Sequence, residues 1–296
     1  MRPTPGVVYA SPFGSDTLGT GSLTEPFATI AKATSAALLR SPTYDNPVVV
    51  LLLPGTFTEN VELEPFVVLV ALDPTSTDVN GNVSLHAAAW IAASSPYTSM
   101  NNFRVMGNLA LDFTGVTSGG LVNYLNGYVN NSTTVIGDPT AGGALSLELV
   151  SPSDVSVTGA SLLTDSCTYA GSVQIKSTSV QPAFWEPFGD TCDATAGVAL
   201  SVDATAGQAA TVLASGNLGT GAVGLTLSGA LSAFTGSVTD IPSSVTRAAG
   251  APPPVLKSAA SGLAYTPAVL ANWSGTTPAS VADALDRIAA KIGPIP

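Results

Sequence analysis

Between residues 48 and 246 the chain is broken into short strand-like runs, none of them long enough to be stable alone. Val48–Leu53, Val61–Leu63, Val67–Leu72, Val83–Ala87, Asn102–Val105 and Leu109–Phe113 open the series. Ser172–Ile175, Val198–Val202, Ala210–Leu213, Val223–Leu227 and Phe234–Val238 close it. Gly, Asn, Asp, Ser and Thr fill the gaps, and no helical pattern intervenes. Strands this short need partners on both sides to satisfy their backbone N–H and C=O groups. A sandwich, a barrel or a stack of parallel coils would each supply them.

Charge narrows the function classes. Only 10% of residues are charged, against roughly 25% in an ordinary globular protein. Mean hydropathy is +0.38, yet the longest apolar runs, Val48–Leu53 and Phe66–Leu72, fall far short of the ~20 residues of a spanning helix. No membrane span is expected. A surface this poor in charge implies extensive cover by neighbouring subunits. The net charge is −11, and the nine Lys and Arg form no basic stripe, which argues against nucleic-acid or anionic-membrane partners. The opening MRPTPGVVYA lacks the apolar core of a signal peptide, so a role outside a cell would imply release by lysis or within a particle.

The two ends differ from the middle. Thr24 is placed as an N-cap, with Glu25 and Pro26 in the first helical turn. Phe27, Ile30, Ala31, Thr34 and Leu38 then form one apolar face of a helix that covers the first coil. The expected segments are residues 1–47 as strand and capping helix, 48–246 as the β region, 247–277 as a Pro/Ala/Gly-rich linker and 278–296 as a C-terminal helix. In that last helix Val281, Leu285, Ile288 and Ile292 make a heptad-like oligomerisation seam.

Two segments resemble known families. The first comprises Tyr9-x-Ser11-x-x-Gly14-Ser15-Asp16, Gly19-Thr20-Gly21, Pro26-Phe27-Ala28-Thr29-Ile30 and Pro54-Gly55-Thr56-Phe57. It resembles the N-terminal signature of the pectate-lyase-like β-helix superfamily, which includes polysaccharide lyases, glycosidases and viral tailspikes. The second runs from Tyr265-Thr266-Pro267 through Trp273-Ser274-Gly275-Thr276-Thr277-Pro278 to Ala284-Leu285-Asp286-Arg287-Ile288-Ala289. It is similar to a C-terminal segment of structural proteins from tailed phages and large DNA viruses. The resemblance implies an all-β fold: a right-handed, single-stranded parallel β-helix with an N-terminal capping helix and a short C-terminal helix. It also implies a homotrimeric, non-catalytic fibre, spike or capsid-associated component of a virion, in contact with other virion proteins.

The alternative is a carbohydrate-active β-helix or a glycan-binding adhesin on host surface glycans. Lyases of this fold pair Ca²⁺-binding Asp clusters with a Lys or Arg base, but Arg104 and Lys176 stand beside no such cluster. For a glycosidase, which needs two carboxylates ~5–10 Å apart, the candidates are Asp165, Asp190, Asp193 and Asp203. Asp is also a common turn residue. Phe184, Trp185 and Phe188, in what reads as a protruding loop, are either an apolar plug or a sugar-stacking platform. The one histidine, His86, reads as an ordinary strand residue. Cys167 and Cys192 lie about one coil apart, either as buried thiols or as a disulfide. No metal site and no cofactor fingerprint is expected.

Overall fold

A computed structural model of the chain describes residues 6–193, 195, 197–214, 222–236 and 245–256. The greater part of the expected linker and the C-terminal helix, with Val281, Leu285, Ile288 and Ile292, lie outside the described residues.

The short runs stack. They form a parallel β-solenoid of about eight turns, and every strand pairing between coils is parallel. Three ladders run along it. The first includes Val7–Ala10, Val48–Leu52, Val67–Ala71, Tyr97–Asn101, the start of Leu121–Ile136, the start of Ala144–Thr158, Ser161–Asp165 and Ala183–Phe188. The second begins with Gly55–Phe57, Thr77–Val79 and Arg104–Val105. The third begins with Val61–Leu63, Val83–Leu85 and Leu109–Asp112. The first and third ladders continue to Val255–Leu256 and Val245–Arg247, so coil pairing passes the boundary expected at 246.

Alternation along each strand sends one set of side chains inward. Register then stacks like on like: Val122, Leu145, Leu162, Trp185, Val212 and Phe234 make one continuous interior column. Backbone groups that a lone strand would leave open are paired above and below.

The N-terminal helix, α1, spans Ile30–Leu38. It starts later than Thr24 and Pro26 suggest. Phe27 is held extended, its N–H donating to Tyr9 O and its O accepting from Ser11 N–H, at 3.0 and 2.8 Å. Its ring is buried. Thr29 is the true N-cap, accepting from Lys32 N–H. Glu59, from the first coil, accepts from Ile30 N–H at 2.8 Å and Ala31 N–H at 3.0 Å. Asp16 accepts from the N–H groups of Ala28 and Thr29 and from the Thr29 hydroxyl. The open donors of the first turn are thus all satisfied, and two carboxylates face the positive end of the helix. The buried face is Ile30, Ala33, Thr34 and Ala37; Ala31 and Leu38 face solvent. The helix packs on Val7–Ala10 and Val48–Leu52, covering the open end of the stack.

A second helix, α2, spans Ala87–Ala92, inside the region read as free of helices. It exists to seat Trp90. That ring is fully buried, donates Nε1–H to Leu63 O at 2.7 Å, and meets Phe113 edge-on with centroids 5.7 Å apart. His86 is its N-cap residue rather than an ordinary strand residue. Its Nδ1 lies 2.5 Å from Oε1 of the buried Glu64, one coil below.

Polar side chains also stack at the corners. Asn60 accepts from Asn82 N–H, Asn82 from Asn108 N–H, and Asn108 from Ser132 N–H; two coils on, Asp154 accepts from Ser172 N–H. A second corner repeats a left-handed residue on successive coils: Asn102 (φ 63), Asn126 (φ 49), Leu149 (φ 55), Ser166 (φ 54) and Gly189 (φ 64). Asn and Gly adopt this conformation readily; Leu does not. Leu149 is 56% exposed, so little burial offsets its strain. Leu149→Asn is therefore expected to stabilise the fold by about 1 kcal/mol, read as a higher midpoint in thermal or chemical denaturation, while Leu149→Val lowers it.

Candidate functional site

The four candidate catalytic carboxylates do not face one open groove: the Asp165 charge is near enough to act on Asp190, but Asp165 is exposed and Asp190 is buried. Asp165 faces outward and accepts from the Ser166 hydroxyl at 2.8 Å. Asp193 accepts from Thr195 N–H and hydroxyl at 2.8 and 2.6 Å, and Asp203 from Thr205 N–H and hydroxyl at 2.9 and 2.6 Å. Burial opposes the Asp203 charge, but the Thr205 hydrogen bonds and the nearby Lys176 hold its carboxyl below the usual carboxylate range. Arg104, the other candidate base, is bound bidentately by Asp78 on the adjacent coil, at 2.6 and 2.9 Å.

These acids belong to a pattern. Asp73/Thr75, Asp112/Thr114, Asp138/Thr140, Asp193/Thr195 and Asp203/Thr205 are all Asp-x-Thr, and in each the carboxylate accepts from the Thr N–H two residues on. This is the Asx-turn geometry that makes Asp a turn residue. Asp138 goes further, also accepting from Gly115 N–H at 2.8 Å on the preceding coil. The Thr140 hydroxyl is the main influence holding its carboxyl below the usual range.

Asp190 is the exception. It is 1% exposed and sits in the solenoid interior. Its carboxylate accepts from the Thr164 hydroxyl, from Cys167 N–H at 2.8 Å and from the Tyr169 hydroxyl at 3.2 Å. Thr164 in turn accepts from Trp185 Nε1–H at 3.0 Å. Burial pushes the Asp190 carboxyl up to about 6, against the pull of its three donors. Cys167 and Cys192 are both buried free thiols, and burial drives each up to about 12. Register pairs Cys192 with Tyr169 rather than with Cys167. The Asp190 carboxylate, the Thr164 and Tyr169 hydroxyls and the Trp185 indole N–H thus find their partners inside the protein.

The segment read as a protruding aromatic loop is instead strand Ala183–Phe188. Alternation splits its aromatics: Trp185 is 1% exposed in the core, whereas Phe188 is 60% exposed on the outer face. Phe184 shares that outer face, half-buried. Without Trp185, no three-ring platform forms.

An exposed aromatic cluster arises elsewhere, from residues that showed no sequence pattern. Thr43 and Asn46 bridge a turn that lifts Tyr44. Its ring meets Tyr97 edge-on at 5.2 Å, and Tyr97 meets Phe66 at 5.6 Å. Beside them opens a cleft of about 580 Å³, lined by Tyr44, Pro96, Tyr97, Gly120, Leu121 and Asn123, among others. It shares Gly119 and Gly120 with a second hollow of about 260 Å³ that extends over Gly143, Ala144 and Ser161 on the next coils. The floor has to be glycine. A Cβ on Gly120 or Gly143 would come within 2.6 or 2.4 Å of the Phe113 ring beneath. None of the four candidate acids lines this cleft.

Compared with protein-family models, characterised proteins and solved structures, the chain matches none. Among the described residues no group of three His, Cys, Asp or Glu is placed to hold a metal ion, and no helix is long and apolar enough to cross a membrane.

The Asp190 node carries a signed pH dependence. A carboxyl raised to about 6 is protonated in the folded state where the unfolded chain's is already ionised. Its contribution to stability is therefore greatest below about pH 4 and falls as pH rises through 6, by roughly 2–3 kcal/mol in all. Chemical denaturation of the wild type and Asp190→Asn across that window should show this fall only in the wild type. Parallel curves would remove the buried charge as its cause.

Proposed function

We propose that this chain is a non-catalytic structural component of a virus particle: a stiff rod, assembled as a homotrimer alongside other virion proteins. The observation that carries the non-catalytic part is the use of its acids. Asp73, Asp138, Asp190, Asp193 and Asp203 each accept hydrogen bonds from the chain's own turns or interior. A hydrolytic depolymerase needs two carboxylates held ready towards a substrate, and of the two candidate lyase bases Arg104 is held by Asp78. The virion assignment is supported by the two sequence resemblances, and the trimer by a surface with too few charges to be left open to solvent.

Mechanically, the reading rests on coil pairing. Strands inside the stack are bonded to the coil above and the coil below, so bending or proteolysis has to break neighbouring ladders together. The C-terminal residues 278–296 would set the copy number and attach the rod.

Native mass spectrometry of the purified full chain is expected to give a trimer mass, and deletion of residues 278–296 is expected to weaken assembly. A monomer mass at micromolar concentration would refute the trimer. Incubation with host polysaccharide is expected to release no new reducing ends, whereas sustained release would restore the enzyme reading.

A further inference from the structure

We infer that the hollow between α1 and the first coil is a binding site for an alkylammonium group, the protonated end of an aliphatic amine. The inference goes beyond the structural role and does not depend on it.

The site begins with two buried acceptors. Thr34 and Glu64 are each 7% exposed, and both line a hollow of about 270 Å³. Thr34 stands on the buried face of α1, and its Oγ1 has no hydrogen-bond partner among the described residues. Glu64 uses Oε1 for His86 Nδ1, at 2.5 Å, and its Oε2 takes no partner among the described residues. A buried polar group left unpaired costs free energy, and a carboxylate oxygen costs more than a hydroxyl. Thr34 and Glu64 do not bond each other, so the fold does not offset that cost. A donor held between them would.

Charge selects the donor. Glu62 lines the same hollow at its exposed side, and no Lys, Arg or His lines it. Lys32 of α1 does not serve it: its ammonium lies over the Phe27 ring, 6.0 Å from the centroid. The group that fits is therefore a cation, in a chain of net charge −11. Ca²⁺ takes roughly six to eight oxygens, more than two carboxylates and a hydroxyl supply. An ammonium has an N–H donor for each of Thr34, Glu62 and Glu64.

The remaining walls indicate what the ammonium is attached to. Ile30, Thr34 and Leu38 recur at successive turns of α1 along the hollow, over a rise of about 12 Å. Val61 of the first coil lines it as well. A run of methylenes can lie on such a wall while its charged head meets the carboxylates. The volume is just under the roughly 300–1,000 Å³ of sites for drug-sized ligands, which suits a slender aliphatic chain.

The full chain should be titrated by calorimetry with putrescine and spermidine as free amines, and with Nα-acetyl-lysine amide as the side chain of a protein partner. Butanol and calcium chloride serve as counter-probes. At least one amine is expected to bind with Kd below about 1 mM, weakened about five-fold or more by Glu64→Gln and by Thr34→Val. Thr34→Val removes an unpaired buried hydroxyl and is expected to raise the melting midpoint of the free chain, so its weaker binding is not a loss of fold. Glu148→Gln, which removes an exposed carboxylate on another coil, should bind as the wild type does. Tighter binding of the free amines or of the lysine amide tells the two sources apart. The inference is overturned if no amine binds, if butanol binds as tightly, if Ca²⁺ is preferred, if Thr34→Val binds as well as the wild type, or if Glu148→Gln weakens binding as much as Glu64→Gln. None of these outcomes bears on the trimer mass that tests the structural role.

Discussion

Everything in this protein depends on in-register parallel pairing between one coil and the next. A strand of three residues such as Val61–Leu63 has almost no stability of its own. Stacked on Val83–Leu85, and through it on Leu109–Asp112, it becomes one rung of a ladder in which each added strand completes the backbone bonding of the last. Inward alternation then builds the core as a by-product, because register that aligns backbones also aligns side chains. The same constraint explains the corners: a residue that turns the chain correctly on one coil is needed at the same place on the next.

The fold was legible for that reason. Short Val- and Thr-rich runs separated by turn residues call for stacking, and the opening motif distinguished coils from sandwiches. The error at α1 came from local logic outvoted by distant contacts. Thr24-Glu25-Pro26 is a sound helix start on propensity, but Phe27 is claimed by the Val7–Ala10 strand, and the donors of the real first turn are met by Asp16 and Glu59. Nothing near residue 30 announces that Glu59 will arrive. α2 was hidden because His86-Ala87-Ala88-Ala89-Trp90 is too short to show a period, and only the need to bury Trp90 against Phe113 gives it a purpose.

The candidate site was far less legible. Asp193 and Asp203 had a turn reading beside the catalytic one, and the fivefold recurrence of Asp-x-Thr is the signal that decides for the turn. Trp185 was misassigned because three aromatics among prolines look like a loop, whereas strand alternation sends the middle one inward. The Tyr44–Tyr97 cluster joins residues from separate turns, and its floor glycines matter only because Phe113 lies beneath them. No one-dimensional pattern contains that arrangement.

The cap on the N-terminal end also bears on the order of folding. Each strand pairs with one roughly a coil further along, so the loops that must close are short even though the sheet is parallel throughout. Among the described residues, α1, joined to the first coil through Glu59, covers that coil's edge before the next coil arrives. Folding can nucleate there and advance one coil at a time, as in other linear repeat stacks. During synthesis the capped end leaves the ribosome first, so growth and translation run in the same direction, and the uncovered edge is always the newest one.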